Sequence, residues 1–143
     1  MRIQAAIATA AILTFAAAGA ANADAQKYDA RLTGAAEVPA ATTPARGEIT
    51  AMFDSDNGEL SYTVTFSGLS GPVTGADFHG PAGRTAEGPV TYAAAGTASP
   101  ISGTIKLTVQ QSRDLNAGAW YFNIETAANP KGEIRGQLRR DDY

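Results

Sequence analysis

The sequence predicts an all-β protein: an antiparallel, Greek-key-like β-sandwich of about eight short strands, with at most one helical turn. Apolar residues recur with a period of two, most clearly at Leu60, Tyr62, Val64 and Phe66, with Ser61, Thr63, Thr65 and Ser67 between them. Clusters of Gly, Pro, Asn, Asp and Ser interrupt the chain at short intervals, at residues 54–58, 70–72, 80–83, 99–100 and 129–132. After the leader no internal repeat or low-complexity linker divides the remaining 120 of the 143 residues, so the strands belong to one domain, 24–143.

Taken in order, residues 1–23 carry Arg2 and then a run of Ala with Ile7, Ile12, Leu13 and Phe15, which reads as a secretory signal peptide. The small residues that signal peptidase needs stand at Ala21-Asn22-Ala23 and again at Ala23-Asp24-Ala25, so cleavage falls after Ala23 or Ala25. The run is shorter than the roughly 20 strongly apolar residues of a membrane span, and no Cys exists to carry a lipid. The expected location is periplasmic or secreted, with no membrane span after cleavage. Loss of residues 1–23, whose only charge is Arg2, takes the net charge from −3 to −4.

Strands are expected at 28–32, 48–53, 60–66, 73–79, 89–93, 104–109, 120–125 and 133–138. The cluster at 54–58 joins two alternating runs and is the best hairpin, with Asn57-Gly58 suited to positive φ. In the sixth strand Ile105, Leu107 and Val109 alternate with Thr104, Lys106 and Thr108. The helical turn is expected at 112–117, capped by Ser112 and stopped by Gly118. In the seventh strand Trp120, Phe122 and Ile124 form the core face, leaving Tyr121, Asn123 and Glu125 to point outward. The last strand alternates Ile134 and Leu138 with Glu133, Arg135 and Gln137, whose charges read as cross-strand pairs on an outer face. The tail at 139–143 reads as a frayed, solvated end.

Composition excludes several functions. Without Cys there is no disulfide, thiolate metal site or cysteine nucleophile. An isoelectric point near 5.0 and no basic run argue against nucleic acid and other polyanions as partners. No nucleophile-elbow pattern supplies a serine for His79, the one histidine, so a binding module is favoured over an enzyme.

Strand alternation puts Asp77 on the same side as His79 while Phe78 faces the core. Completed by Glu125 from another strand, with Asn123 on the same face as support, this pair forms a one-histidine, two-carboxylate metal set. Such a set suits zinc, manganese or nickel better than Cu(I), which prefers sulfur. The alternative is a surface His hydrogen-bonded to its neighbouring Asp.

Together these segments resemble the CHRD domain, named for chordin and common as a stand-alone exported domain in bacteria. The resemblance spans about 28–138. It begins with Leu32-Thr33-Gly34-Ala35-Ala36-Glu37-Val38-Pro39, passes through Leu60-Ser61-Tyr62, Gly68-Leu69, His79-Gly80-Pro81-Ala82-Gly83 and Gly88-Pro89-Val90, and ends with Pro130-Lys131-Gly132-Glu133-Ile134-Arg135-Gly136-Gln137-Leu138. It implies an extracytoplasmic β-sandwich module, found in chordin within a protein that binds secreted growth factors. The family's usual His-x-His stands here as Asp77-Phe78-His79, and its Asn-x-His-Thr as Asn123-Ile124-Glu125-Thr126. Carboxylates thus replace two of three family histidines, which turns any site there toward oxygen ligands and away from copper redox chemistry. The expected function is an exported, non-enzymatic module that binds a protein, a glycan or a second copy of itself; the alternative is a divalent metal-binding protein using Asp77, His79 and Glu125, with zinc, copper, manganese or nickel as the ion.

Overall fold

The structure is a computed structural model and describes residues 25–142. The expected signal peptide, 1–23, lies outside the described residues. Nine strands form one antiparallel sheet: β1 (Ala25–Thr33), β2 (Arg46–Asp54), β3 (Glu59–Ser67), β4 (Val73–His79), β5 (Val90–Ala93), β6 (Ile101–Lys106), β7 (Tyr121–Thr126), β8 (Ile134–Gln137) and β9 (Arg139–Arg140). The spatial order is β5-β4-β7-β8-β1-β2-β3-β6, with β9 added against β1. One α-helix, α1 (Val109–Asn116), and a 3-10 turn at Gly34–Ala36 complete the fold.

The sheet folds over itself, so that β1, β2, β3 and β6 face β4, β7 and β8 across a common core. Phe78 of β4 packs edge-on against Tyr62 of β3 at 4.9 Å and against Phe122 of β7 at 4.9 Å. Leu32, Ile49, Leu60, Val64, Phe122, Ile124 and Ile134 are all fully buried. Tyr92 of β5 bridges the sheet's two end strands by donating its hydroxyl to the Lys106 carbonyl of β6, and Tyr62 of β3 accepts from the Ala95 amide just after β5. The sandwich expected from the alternation is the fold observed.

The β2–β3 hairpin runs in unbroken register from Asp54 opposite Glu59 to Arg46 opposite Ser67. Gly58 supplies the turn's one positive φ, 75°, and its amide bonds the Asp54 carbonyl; Asn57 does not share that conformation.

Four local expectations change. The helix begins earlier than 112 because Thr108, not Ser112, caps it: the Thr108 hydroxyl accepts from the Gln111 amide while the Gln111 side chain accepts from the Thr108 amide. This reciprocal box ends β6 at Lys106 and moves Val109 from an expected strand face to an exposed helical position. The helix thus spans eight residues rather than one turn. The tail is not frayed at its start: Arg139 and Arg140 pair with Asp29 and Tyr28 of β1, and Asp141 bonds the Lys27 carbonyl and pairs with its ammonium at 3.1 Å.

The other two changes concern the polar faces of β7 and β8, which are covered rather than solvated. Tyr121, Asn123, Glu133 and Arg135 are all under 4% exposed. Alternation reports which side of the sheet a residue takes, not whether a loop lies over that side. Here the 80–89 loop lies over it: Arg135 donates to the Gly83 carbonyl, and Gln137 to those of Ala82 and Gly118. Glu133, read as a surface charge, is a buried hub that accepts from the hydroxyls of Thr43, Ser70 and Thr126, the Ser70 amide and the Asn129 side chain. It ties the 43–45 segment, the 68–72 turn and the 129–132 turn to one point.

Candidate metal site on the covered face

The registers of β4, β7 and β8 build this face row by row. Gly75 lies opposite Glu125, Asp77 opposite Asn123, and His79 opposite Tyr121; across β7, Asn123 lies opposite Arg135 and Tyr121 opposite Gln137. One donor atom each from Asp77, His79 and Glu125 comes within 4.8 Å of the others. The structure therefore brings together all three residues singled out from the sequence, and all are partly shielded from solvent.

Each is held differently. His79 Nδ1 lies 2.9 Å from the Gly88 carbonyl, which can only accept; in the neutral ring the proton sits on Nδ1 and Nε2 carries the lone pair. Nε2 is buried and has no hydrogen-bond partner. The imidazole is stacked on Tyr121, with centroids 4.8 Å apart and planes 11° from parallel. The Arg135 guanidinium, from the strand on the other side of β7, sits 3.5 Å from the centre of the same ring. Tyr121, expected to point freely outward, is instead the middle layer of a His79–Tyr121–Arg135 stack, and it exchanges hydrogen bonds with Gly88.

Glu125 occupies space that only a glycine opposite it leaves open. A Cβ on Gly75 would fall 2.0 Å from Glu125 Oε2. Burial, with the hydrogen bond to Asp77 and that group's charge, raises the Glu125 carboxyl to about 7; a hydrogen bond from Asn123 opposes the shift. Two carboxyls this close share a proton when nothing else neutralises them. Asn123 Nδ2 reaches Glu125 Oε1 at 3.4 Å and donates to the Lys131 carbonyl at 2.8 Å.

Glu37, which sequence reasoning missed, joins Asn123, expected from the sequence as support, in a second layer of acceptors. Glu37 Oε1 and Asn123 Oδ1 are both buried without a partner. Both lie against Gly132, where a Cβ would meet them at 2.5 and 2.3 Å. Burial drives Glu37 to about 7, Arg135 draws it down, and Glu125 and Glu87 push it up. His79, Glu125, Asn123, Glu37 and Arg135 line one pocket of about 220 Å³. The only sequence signal for Glu37 was its place in the Glu-Val-Pro segment, and nothing local aimed it here. Tyr121 was legible as a same-face neighbour of Asn123, and Arg135 as part of the last strand's outer face, but the burial of both was not.

The face offers one unpartnered imidazole nitrogen, two adjoining carboxylates and further oxygen acceptors, under a loop and beside a fixed cation. That arrangement can hold a small divalent cation or a shared proton.

A folded-over antiparallel sheet bearing a polar, loop-covered face on β4, β7 and β8 defines a nearly all-β module with a recessed polar pocket on that face. Residues 28–138 match the CHRD domain, and the chain belongs to that family. No curated protein and no solved structure matches it. Among the described residues, no helix is long and apolar enough to cross a membrane.

Proposed function

We propose that this CHRD domain binds a divalent metal ion through Asp77, His79 and Glu125, with Asn123 holding Glu125 in place. The observation that carries the reading is the approach of the three donor atoms to within 4.8 Å, with His79 Nε2 buried and unpartnered. The Nδ1 bond to the Gly88 carbonyl adds support, since metal-binding imidazoles are commonly fixed in orientation and tautomer by such a bond on the second nitrogen. The ligand set is one borderline nitrogen and two hard oxygens, which favours zinc, manganese or nickel over Cu(I). Binding displaces the proton that Glu125 holds, so affinity rises with pH. The reading includes a periplasmic or secreted location, supported by the signal-peptide character of 1–23.

The test is elemental analysis of tag-free protein after incubation with each ion and dialysis, beside His79→Ala. One equivalent of metal in the wild type and none in the variant is expected. Metal in neither, at neutral and at alkaline pH, overturns the reading.

A further inference from the structure

The protein is acidic overall, yet its arginines are not spread evenly. Of eight in the sequence, four line one open cleft of about 750 Å³: Arg31 of β1, Arg84 of the loop after β4, Arg135 of β8 and Arg139 of β9. Arg31, Arg84 and Arg139 are exposed. Among the described residues, the guanidinium groups of these three make no hydrogen bond and no ion pair; the ion pairs are Lys27 with Asp141 and Arg140 with Asp142. Two acids, Asp29 and Glu37, share the lining, and burial keeps Glu37 protonated well above the usual carboxylate range. These arginines lie far apart in the chain, so no basic run marks them in the sequence.

We propose that this cleft is a binding site for an acidic oligosaccharide, one bearing a carboxylate on each sugar unit. Unpaired guanidinium forks match carboxylates in geometry as well as charge. The rest of the lining combines small apolar surface, Ala30, Ala35, Ala36 and Val38, with the hydroxyl or amide groups of Thr33, Thr85 and Gln137; a sugar likewise combines C–H faces with hydroxyls. Other anionic partners match less well. A peptide that adds a strand needs a free sheet edge, whereas β1 is paired on both sides. Single-stranded nucleic acid needs aromatic platforms, and no aromatic residue lines the cleft. A lipid surface needs exposed apolar anchors, and the exposed large hydrophobics Met52, Val90 and Val109 lie outside it. The cleft shares Glu37 and Arg135 with the pocket beside the metal site but none of the proposed metal ligands Asp77, His79 and Glu125.

The experiment is calorimetric titration with tetragalacturonate at low salt, in EDTA so that no bridging metal contributes, with cellotetraose as the uncharged control. Expected are binding of the uronate alone, loss of affinity by tenfold or more in Arg31→Ala/Arg84→Ala, weakening with added salt, and no change in His79→Ala. Arg84→Ala alone, in an exposed loop, serves as the second variant should the double variant unfold. Equal affinity in wild type and variants, no binding at millimolar tetragalacturonate, or tighter binding of tetraglutamate than of the uronate would each overturn the proposal.

Discussion

Glu133 and Glu125 stand near one another, on and beside β7, and are driven in opposite directions. Glu133 is 0% exposed, and burial alone would raise its carboxyl; the hydroxyls of Ser70, Thr126 and Thr43 and the Ser70 amide outweigh burial and hold it below the usual value. Glu125 is the more accessible of the two, yet burial, the hydrogen bond to Asp77 and that group's charge together raise it to about 7, against one opposing hydrogen bond from Asn123. Burial therefore pushes both carboxyls the same way, and the number of donors around each decides whether that push is reversed. The first is a carboxylate surrounded by donors; the second faces another carboxyl and receives one hydrogen bond, from Asn123.

The largest expected effect comes from removing Glu133. Glu133→Ala leaves the donors of Thr43, Ser70, Thr126 and Asn129 without their shared acceptor, and should lower stability by about 1–3 kcal/mol in chemical denaturation. A loss below about 1 kcal/mol would show that water replaces the carboxylate.

Next in size is the pH profile of the metal-free protein. Glu125 and Glu37 hold protons up to about 7 when folded and release them near 4.5 when unfolded, so stability falls as pH rises between those values. Glu133 acts in reverse: its contribution is present above its unfolded value and is lost as pH falls through its lower folded value. Melting temperature should therefore peak on the acid side of neutrality, and Glu125→Gln should flatten the fall toward pH 7. An unchanged slope in that variant would remove Glu125 from the account. With a bound metal the trend across this window should reverse, because the ion takes the proton's place.

A smaller loss is expected for Tyr121→Phe, which keeps the stack with His79 and Arg135 but removes the hydrogen bonds to Gly88. The cost should be about 0.5–1.5 kcal/mol, with faster amide hydrogen exchange confined to the 80–89 loop. Smallest in stability is Gly75→Ala. The atom its Cβ meets is the mobile end of Glu125, so unfolding should shift by less than about 1 kcal/mol, while metal affinity drops roughly 10–100-fold. Retained affinity would show that Glu125 binds from another rotamer or not at all.

The sequence made the inner face of the sheet legible and left the outer one obscure. Leu60, Tyr62 and Val64 alternate with exposed Ser61 and Thr63, and the structure keeps that division. The pairing of Asp77 with His79 was equally legible, because two residues apart on a strand means one side. What failed was the inference from polar to solvated at Tyr121, Asn123, Glu133 and Arg135. Their burial depends on the 80–89 loop and on segments near 37, 43, 70 and 131 arriving from elsewhere, and no local pattern encodes those long-range closures. The helix start failed for a local reason: the Thr108–Gln111 box was present in the sequence, but alternation through Leu107 and Val109 concealed it.

The pairing of β9 with β1 has a topological consequence. Arg140 lies opposite Tyr28, and the Asp141 amide reaches the Lys27 carbonyl, so the first and last strands of the folded unit leave it side by side. A short linker across that gap would close the domain into a ring, and a new opening at the exposed Asp54–Gly58 hairpin tip would yield a circular permutant with every strand pairing outside that hairpin kept. Inserted into a longer polypeptide, the module would enter and exit at one point, and a host protein could carry it as a lateral bud without breaking its own chain path.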